Sequence, residues 1–344
     1  MAEMNRRTFG LLTGGLLVAS AVPSLAQARG RVVVGTWGGD YQNLQQINIT
    51  DAVLKDSGLQ VIYDPANDRV RKAKLLAERR LPRGSMDITC MTRQGSHELY
   101  TNNVLEELDE TKIPNLAKVL PFIRTTYCVP HIYTGRVILY NPKKVNPAPT
   151  SYADLWDPKY AGRVGVIDIQ YQTTIESAAM IAGGSPSDYE PGKAKLLELK
   201  KQGVKIYPTN EAMAQALKTG EVDMTIMWNA RGQMWKKAGI DIEIAIPKEG
   251  LALYLSDMSV PKNAPNKEAA YAYINAMLED VPQVAFAQQM GYAPSNSQTK
   301  LDPALAVEVD YTPEQREKFI LPDLDYLVKV DADLQTWWDK EFKA

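Results

Sequence analysis

The chain has 344 residues, 45% hydrophobic and 23% charged, with a formal net charge of -2. These are proportions of an ordinary water-soluble globular protein, and Lys and Arg are scattered without a basic run, so the electrostatic footprint of nucleic-acid binding is absent. The length exceeds what one hydrophobic core supports and predicts two lobes.

The first element is an export leader over residues 1–28. Arg6 and Arg7 precede a weakly apolar stretch from Gly10 to Val22, too short to span a bilayer, which ends near Ala26-Gln27-Ala28 in a small-x-small cleavage pattern. The arginine pair points to the twin-arginine route, although Asn5 and Gly10 depart from its usual flanks. An uncleaved anchor helix is disfavoured by Gly14, Gly15 and Pro23. The mature protein is expected to start near Arg29, soluble in the periplasm, since neither Cys90 nor Cys128 lies where a lipid anchor attaches.

From there strands and helices alternate. Arg31 to Thr36 reads as a strand, Trp37-Gly38-Gly39-Asp40 as a turn, Tyr41 to Leu54 as a helix, Leu59 to Tyr63 as a strand, Arg69 to Arg80 as a helix and Met86 to Met91 as a strand. After a strand from Val137 to Tyr140 and a connection carrying Pro142, Pro147 and Pro149, the unit repeats. Strands are expected at 164–168, 204–207 and 223–227, with helices at 174–182 and 211–219 between them. Thr209 supplies a helix cap and Gly220 a stop. Trp228 falls at the carboxyl end of a parallel strand, where ligands of open α/β sheets bind. A strand from Tyr254 to Val260, helices at 267–278 and 281–290, and Gly291-Tyr292 follow. The pattern argues a mainly parallel sheet covered on both faces. Cys90 and Cys128 sit in apolar β contexts that suit either one disulfide or two buried thiols.

Signatures of catalysis are missing. His97 and His131 are the only histidines and lie in no metal-ligand spacing, and the chain has no nucleophile elbow and no phosphate loop. Ser259-Val260-Pro261-Lys262 matches a lactamase pattern by letters, but Pro261 opposes the helix that chemistry needs. Asn48-Ile49-Thr50 fits a glycosylation acceptor that a bacterial-type leader leaves unused. Gly38-Gly39 suits either an anion-binding turn or a plain tight turn. Neither a metal nor a cofactor is expected.

The stretch Ser151-Tyr152-Ala153-Asp154-Leu155-Trp156-Asp157-Pro158-Lys159-Tyr160-Ala161-Gly162 strongly resembles bacterial extracellular solute-binding proteins of ABC importers, in the spermidine/putrescine-binding branch. Val129-Pro130-His131-Ile132-Tyr133, Met227-Trp228-Asn229, Pro247-Lys248-Glu249-Gly250 and Gly291-Tyr292-Ala293-Pro294-Ser295-Asn296 match in family order. The resemblance implies an α/β, two-lobed periplasmic-binding-protein fold whose lobes are joined by two crossing hinge strands, near Gly135 to Tyr140 and Tyr254 to Pro261. The lobes would comprise residues 29–135 with 258–298, and 136–257 with 299–344. It further implies a monomer that captures a small solute in the cleft and hands it to a membrane permease, with no bond made or broken.

By the same resemblance Trp37, Trp228, Tyr254 and Tyr292 fall on aromatic ligand-contact positions, and Thr92 and Tyr133 complete the expected lining. The family's acidic positions fall here on Ile169, Gln172 and Ser256, with Asp168 and Asp257 each one residue away, a shift that in a strand can turn a side chain to the other face; Asp168, Gln172 and Ser256 are kept among the expected ligand contacts. Arg93, Arg136 and Arg231 instead lie at or near cleft-facing segments, and guanidinium groups suit carboxylates and repel ammonium. The expected ligand is therefore a carboxylate-bearing anion or an amino-acid-like zwitterion such as γ-aminobutyrate, bound by an arginine, an Asp and the aromatic box. A polyamine ligand and an exported enzyme on the same scaffold are the alternatives.

Overall fold

A computed structural model describes residues 30–344, so the expected leader lies outside the described residues. Strand β1 (Gly30–Thr36) buries five consecutive residues, the continuous burial of a parallel strand covered on both faces. It pairs in parallel with β2 (Leu59–Pro65) and β3 (Ile88–Thr92). Helix α1 (Gly39–Gln45) and helix α2 (Asp68–Glu78) connect these strands, and α3 (Arg93–Thr101) follows β3. The helix expected to reach Leu54 leaves α-geometry at Gln46 and widens into a π-helical turn, Gln46–Thr50. There Asn48 Nδ2 donates to the Leu44 carbonyl at 3.0 Å, competing with the backbone bond that would continue the helix.

Strand β4 (Val129–Tyr140) is longer than its expected 137–140 core. Pro130 hid its first half, since proline lacks a ladder donor, and the pairing shifts register between Pro130 and Ile132. In chain order β5 (Val164–Ile167), α4 (Tyr171–Ile181), α5 (Glu190–Lys201), β6 (Lys205–Tyr207), α6 (Asn210–Thr219), β7 (Met224–Trp228) and α7 (Asn229–Lys237) follow. The Thr209 side chain accepts from Ala212 N and Gly220 ends α6 with φ 70°, as its sequence predicts. Then come β8 (Glu243–Ala245), β9 (Leu251–Ser259), α8 (Lys267–Met277), α9 (Asp280–Met290), β10 (Ala293–Pro294), α10 (Pro303–Val309), α11 (Pro313–Arg316), β11 (Phe319–Ile320) and α12 (Leu324–Trp337).

The strand order β2-β1-β3-β9-β4-β7-β5-β6 describes two lobes sharing two strands. Val129 to Gly135 of β4 pair with β9, whereas Arg136 to Tyr140 pair with β7, so one strand changes sheet within a single peptide step. Strand β9 joins β3 and β4 over most of its length and meets β11 at Leu251 and Ala252. Tyr152, Trp156, Ile175 and Leu196 build a core into which α12 and the following turn insert Leu327, Leu334, Trp338 and Phe342. Cys90 lies on β3 and Cys128 just before β4, with β9 between them. Two strand spacings are about 10 Å, beyond the reach of a disulfide, and both cysteines are free and buried.

Candidate functional site

The carboxyl ends of β1, β3 and β7 deliver Trp37, Thr92, Arg93 and Trp228 to the space between the lobes. Gly38 and Gly39 after β1 take φ of 79° and 54°, which favours glycine there and lets α1 start directly behind Trp37. Gly291, φ 71°, closes α9, and an added Cβ would sit 3.1 Å from the Ala230 carbonyl oxygen. That close approach sets Tyr292 against the cleft. Tyr254, in the middle of β9, divides the cleft into two chambers and lines both. Its ring lies 5.3 Å from Trp228 and 6.0 Å from Tyr292, centroid to centroid, forming an aromatic row.

The larger chamber, about 400 Å³, takes Asp68, Thr92, Arg93 and Gln94 from one lobe and Arg136, Gln172 and Trp228 from the other. Gln172 Nε2 donates to Gln94 Oε1 at 3.1 Å, a bond across the cleft. A second interlobe contact joins His97 Nε2 to Asp325 of α12 at 2.9 Å. Thr92 donates to Asp68 Oδ2 at 2.7 Å and caps α3. Burial pushes the Asp68 carboxyl up, against the hydrogen bond from Thr92 and the charge of Arg71. The smaller chamber, about 340 Å³, is lined by Trp37, Asp40, Tyr41, Arg231, Tyr254 and Tyr292, among others. Burial raises the pKa of both Tyr254 and Tyr292, so their phenols stay protonated and can donate.

The arginines differ in what they already hold. Arg93 grips the fully buried Asp257 with Nε to Oδ2 at 2.6 Å and Nη2 to Oδ1 at 2.9 Å, and also donates to the Ile123 carbonyl. Burial pulls its pKa down, but the Asp257 carboxylate and its hydrogen bonds outweigh that and the net shift is upward. Its charge is spent inside the protein. Arg136 is wholly buried, donates through Nη1 to the Thr173 carbonyl and Ser177, and lies 3.4 Å from Glu176. Its Nε and Nη2 have no hydrogen-bond partner among the described residues, and its guanidinium carbon stacks 4.4 Å from the Trp228 ring centroid. Arg231 is half-buried in the smaller chamber and makes no salt bridge with another of the described residues. Asp40 enters the same chamber from the opposite lobe, in the first turn of α1.

Three expected contacts lie elsewhere. Asp168 faces the outside of its lobe, accepting from Trp338 Nε1 at 2.8 Å and Lys343 Nζ at 2.9 Å, while its neighbour Ile169 turns into the larger chamber. Tyr133 points into the core, donates to Asp310 at 3.1 Å and packs against Phe122, Tyr311 and Phe319. Ser256 is buried beneath Trp37, accepting from its Nε1 at 3.3 Å, so it orients the ring without lining either chamber. Asp40 and Asp68 were missed as site residues. Asp40 had a local signal, directly after Trp37-Gly38-Gly39; Asp68 had none, because only the packing of α2 on β3 brings it to Thr92.

Residues 48–313 match the family described as bacterial extracellular solute-binding protein. The chain belongs to that family. Among relatives of this solute-binding protein, the spermidine/putrescine-binding periplasmic protein of Escherichia coli K12 is 26% identical over 290 residues, 80% of each chain. An ABC transporter structure from Clostridium perfringens superposes with a TM-score of 0.78 at 22% identity, covering 91% of this chain and 100% of that one. A GABA receptor structure superposes with a TM-score of 0.78 at 22% identity, covering 90% and 97%. At these identities the structures show the fold, two α/β lobes around a cleft.

Proposed function

We propose that this solute-binding protein is the exported, periplasmic receptor of an ABC importer, and that its cargo is a small zwitterion of the γ-aminobutyrate type held in the smaller chamber. The observation that carries this is that Arg231 and Asp40, from different lobes, line one chamber together with Trp37, Tyr254 and Tyr292. Arg231 would take the ligand's carboxylate through paired N–H donors, and Asp40 its ammonium. Because the two charges belong to different lobes, a ligand that bridges them favours the closed form, which is the form a permease would read. The change of sheet partner between Gly135 and Arg136 supports dividing the chain into 29–135 with 258–298 and 136–257 with 299–344.

The polyamine reading is favoured by the spermidine/putrescine-binding name of the Escherichia coli relative and by Asp68 and Asp331 in the larger chamber. Against it, Ile169, Gln172 and Ser256 stand where the resemblance places carboxylates, and Arg231 lines the opposite chamber. A thermal-shift panel of γ-aminobutyrate, other amino acids, organic acids, putrescine and spermidine separates them. A ligand at 100 times its Kd stabilises by about 2.7 kcal/mol. Arg231→Met should weaken γ-aminobutyrate binding about 10- to 100-fold, the range for a hydrogen bond to a charged group. Stabilisation by putrescine and not by any carboxylate would overturn the zwitterion assignment, and conversion of a solute to product, followed by mass spectrometry, would overturn the receptor assignment.

A further inference from the structure

Both tryptophans that frame the cleft carry a buried guanidinium on one ring face. The Arg71 guanidinium carbon lies 4.6 Å from the Trp37 centroid, and that of Arg136 lies 4.4 Å from the Trp228 centroid. The two arginines are 1% and 0% exposed and belong to different elements, α2 and β4, so the same arrangement is built independently on each side of the cleft. Arg71 is fixed by the carbonyls of Thr36, Ala66 and Cys90, and its nearest carboxylate is Asp68 at 3.8 Å. Among the described residues Arg136 has only Glu176 at 3.4 Å for a counter-charge, and two of its nitrogens, Nε and Nη2, find no acceptor.

We infer that Arg71 and Arg136 are specificity-determining residues that turn the tryptophan faces of the cleft against ammonium groups. This rests on the proposal that the interlobe cleft is the solute site. A bare indole attracts a cation to either face through its quadrupole. Here one face of each ring is taken, and an ammonium on the free face would meet a second positive charge about 8 Å away across the ring, in a medium that screens poorly. A carboxylate, a methylene chain or a polar uncharged group meets no such opposition. Trp37, in the smaller chamber, and Trp228, in the larger, therefore accept the uncharged or anionic parts of a solute, and Asp40 is left to hold its amine clear of the Trp37 face. The aromatic box expected from the resemblance is kept in shape and changed in charge preference.

The test compares binding of putrescine and γ-aminobutyrate by calorimetry in the full exported chain and in Arg136→Met/Glu176→Gln. The second substitution avoids leaving a buried carboxylate unpaired. Arg136→Lys, which keeps the charge, serves as the control for folding and packing. The ratio Kd(putrescine)/Kd(γ-aminobutyrate) is expected to fall at least about tenfold in the double variant, equivalent to about 1.4 kcal/mol, through tighter putrescine binding on the Trp228 face of the larger chamber, and to stay within about threefold in Arg136→Lys, which leaves a positive charge beside the ring. An unchanged ratio in a folded double variant overturns the inference. A readout that needs no cognate solute is quenching of the fluorescence lost on Trp228→Phe. With each ion scaled to its quenching of free N-acetyltryptophanamide, iodide is expected to quench it more strongly than caesium in the parent protein, and the double variant should remove that preference. Equal quenching by the two ions in the parent overturns the inference even if γ-aminobutyrate fails to bind; loss of γ-aminobutyrate binding with the iodide preference intact would sink only the ligand assignment.

Discussion

Asp257→Asn tests whether Arg93 belongs to the protein's interior or to its ligand. In the folded chain the Asp257 carboxylate is fully buried and receives two charged N–H bonds, 2.6 and 2.9 Å, from an arginine whose side chain is 11% exposed. Removing the charge leaves a desolvated guanidinium with the Ile123 carbonyl and one amide oxygen. Breaking such a pair from one side costs about 3–5 kcal/mol, and the retained amide acceptor places this variant near the lower end. With a urea slope of roughly 3 kcal/mol per molar for a chain this size, the midpoint should fall by roughly 1 M, measured by far-ultraviolet circular dichroism. Solute affinity measured well below the transition should change less than about threefold, because neither partner is free to meet a ligand. An unchanged midpoint together with at least a tenfold loss of affinity would refute the reasoning and make Arg93 a ligand clamp.

His131 is buried, its Nδ1 2.7 Å from Tyr41 Oη, and burial lowers its pKa to about 3. Below the unfolded value of about 6.5 the unfolded chain takes up a proton that the folded one refuses, so this contribution is full above pH 6.5 and is lost as pH falls toward 3, at about 1.4 kcal/mol per pH unit. Between pH 7 and pH 5 the parent should lose about 2 kcal/mol more than His131→Gln, and equal losses in paired urea titrations would count against a neutral buried imidazole. Cys90 and Cys128 should react with a thiol reagent only in denaturant, since burial pushes both thiols up. A melting temperature lowered by reductant would contradict two free thiols.

Much of the architecture was legible because its causes are local. The Val32-Val33-Val34 run, the Thr209 cap and the Gly220 stop act through residues a few positions apart, and each element formed where those signals stood. The placement of Trp228 at a strand end also followed from short-range pattern alone. The first half of β4 did not, because Pro130 removes a donor that long-range pairing with β9 compensates.

The candidate site divides along the same physical line. Aromatic positions Trp37, Tyr254 and Tyr292 reached the smaller chamber because strand ends and the Gly291 turn dictate where they go. Charge could not be assigned that way. Arg93 is neutralised by a carboxylate 164 residues away, Asp168 is held by Trp338 and neutralised by Lys343, and Arg136 is buried at the chamber wall against the Trp228 ring. From the sequence alone came two α/β lobes, a family and a row of aromatics; the tertiary structure alone decided which charges line the cleft. The reason is range: propensity and periodicity act over a few residues, whereas an ionic partner is selected by whichever side chain the folded chain brings within about 4 Å, and desolvation there outweighs anything the local sequence encodes.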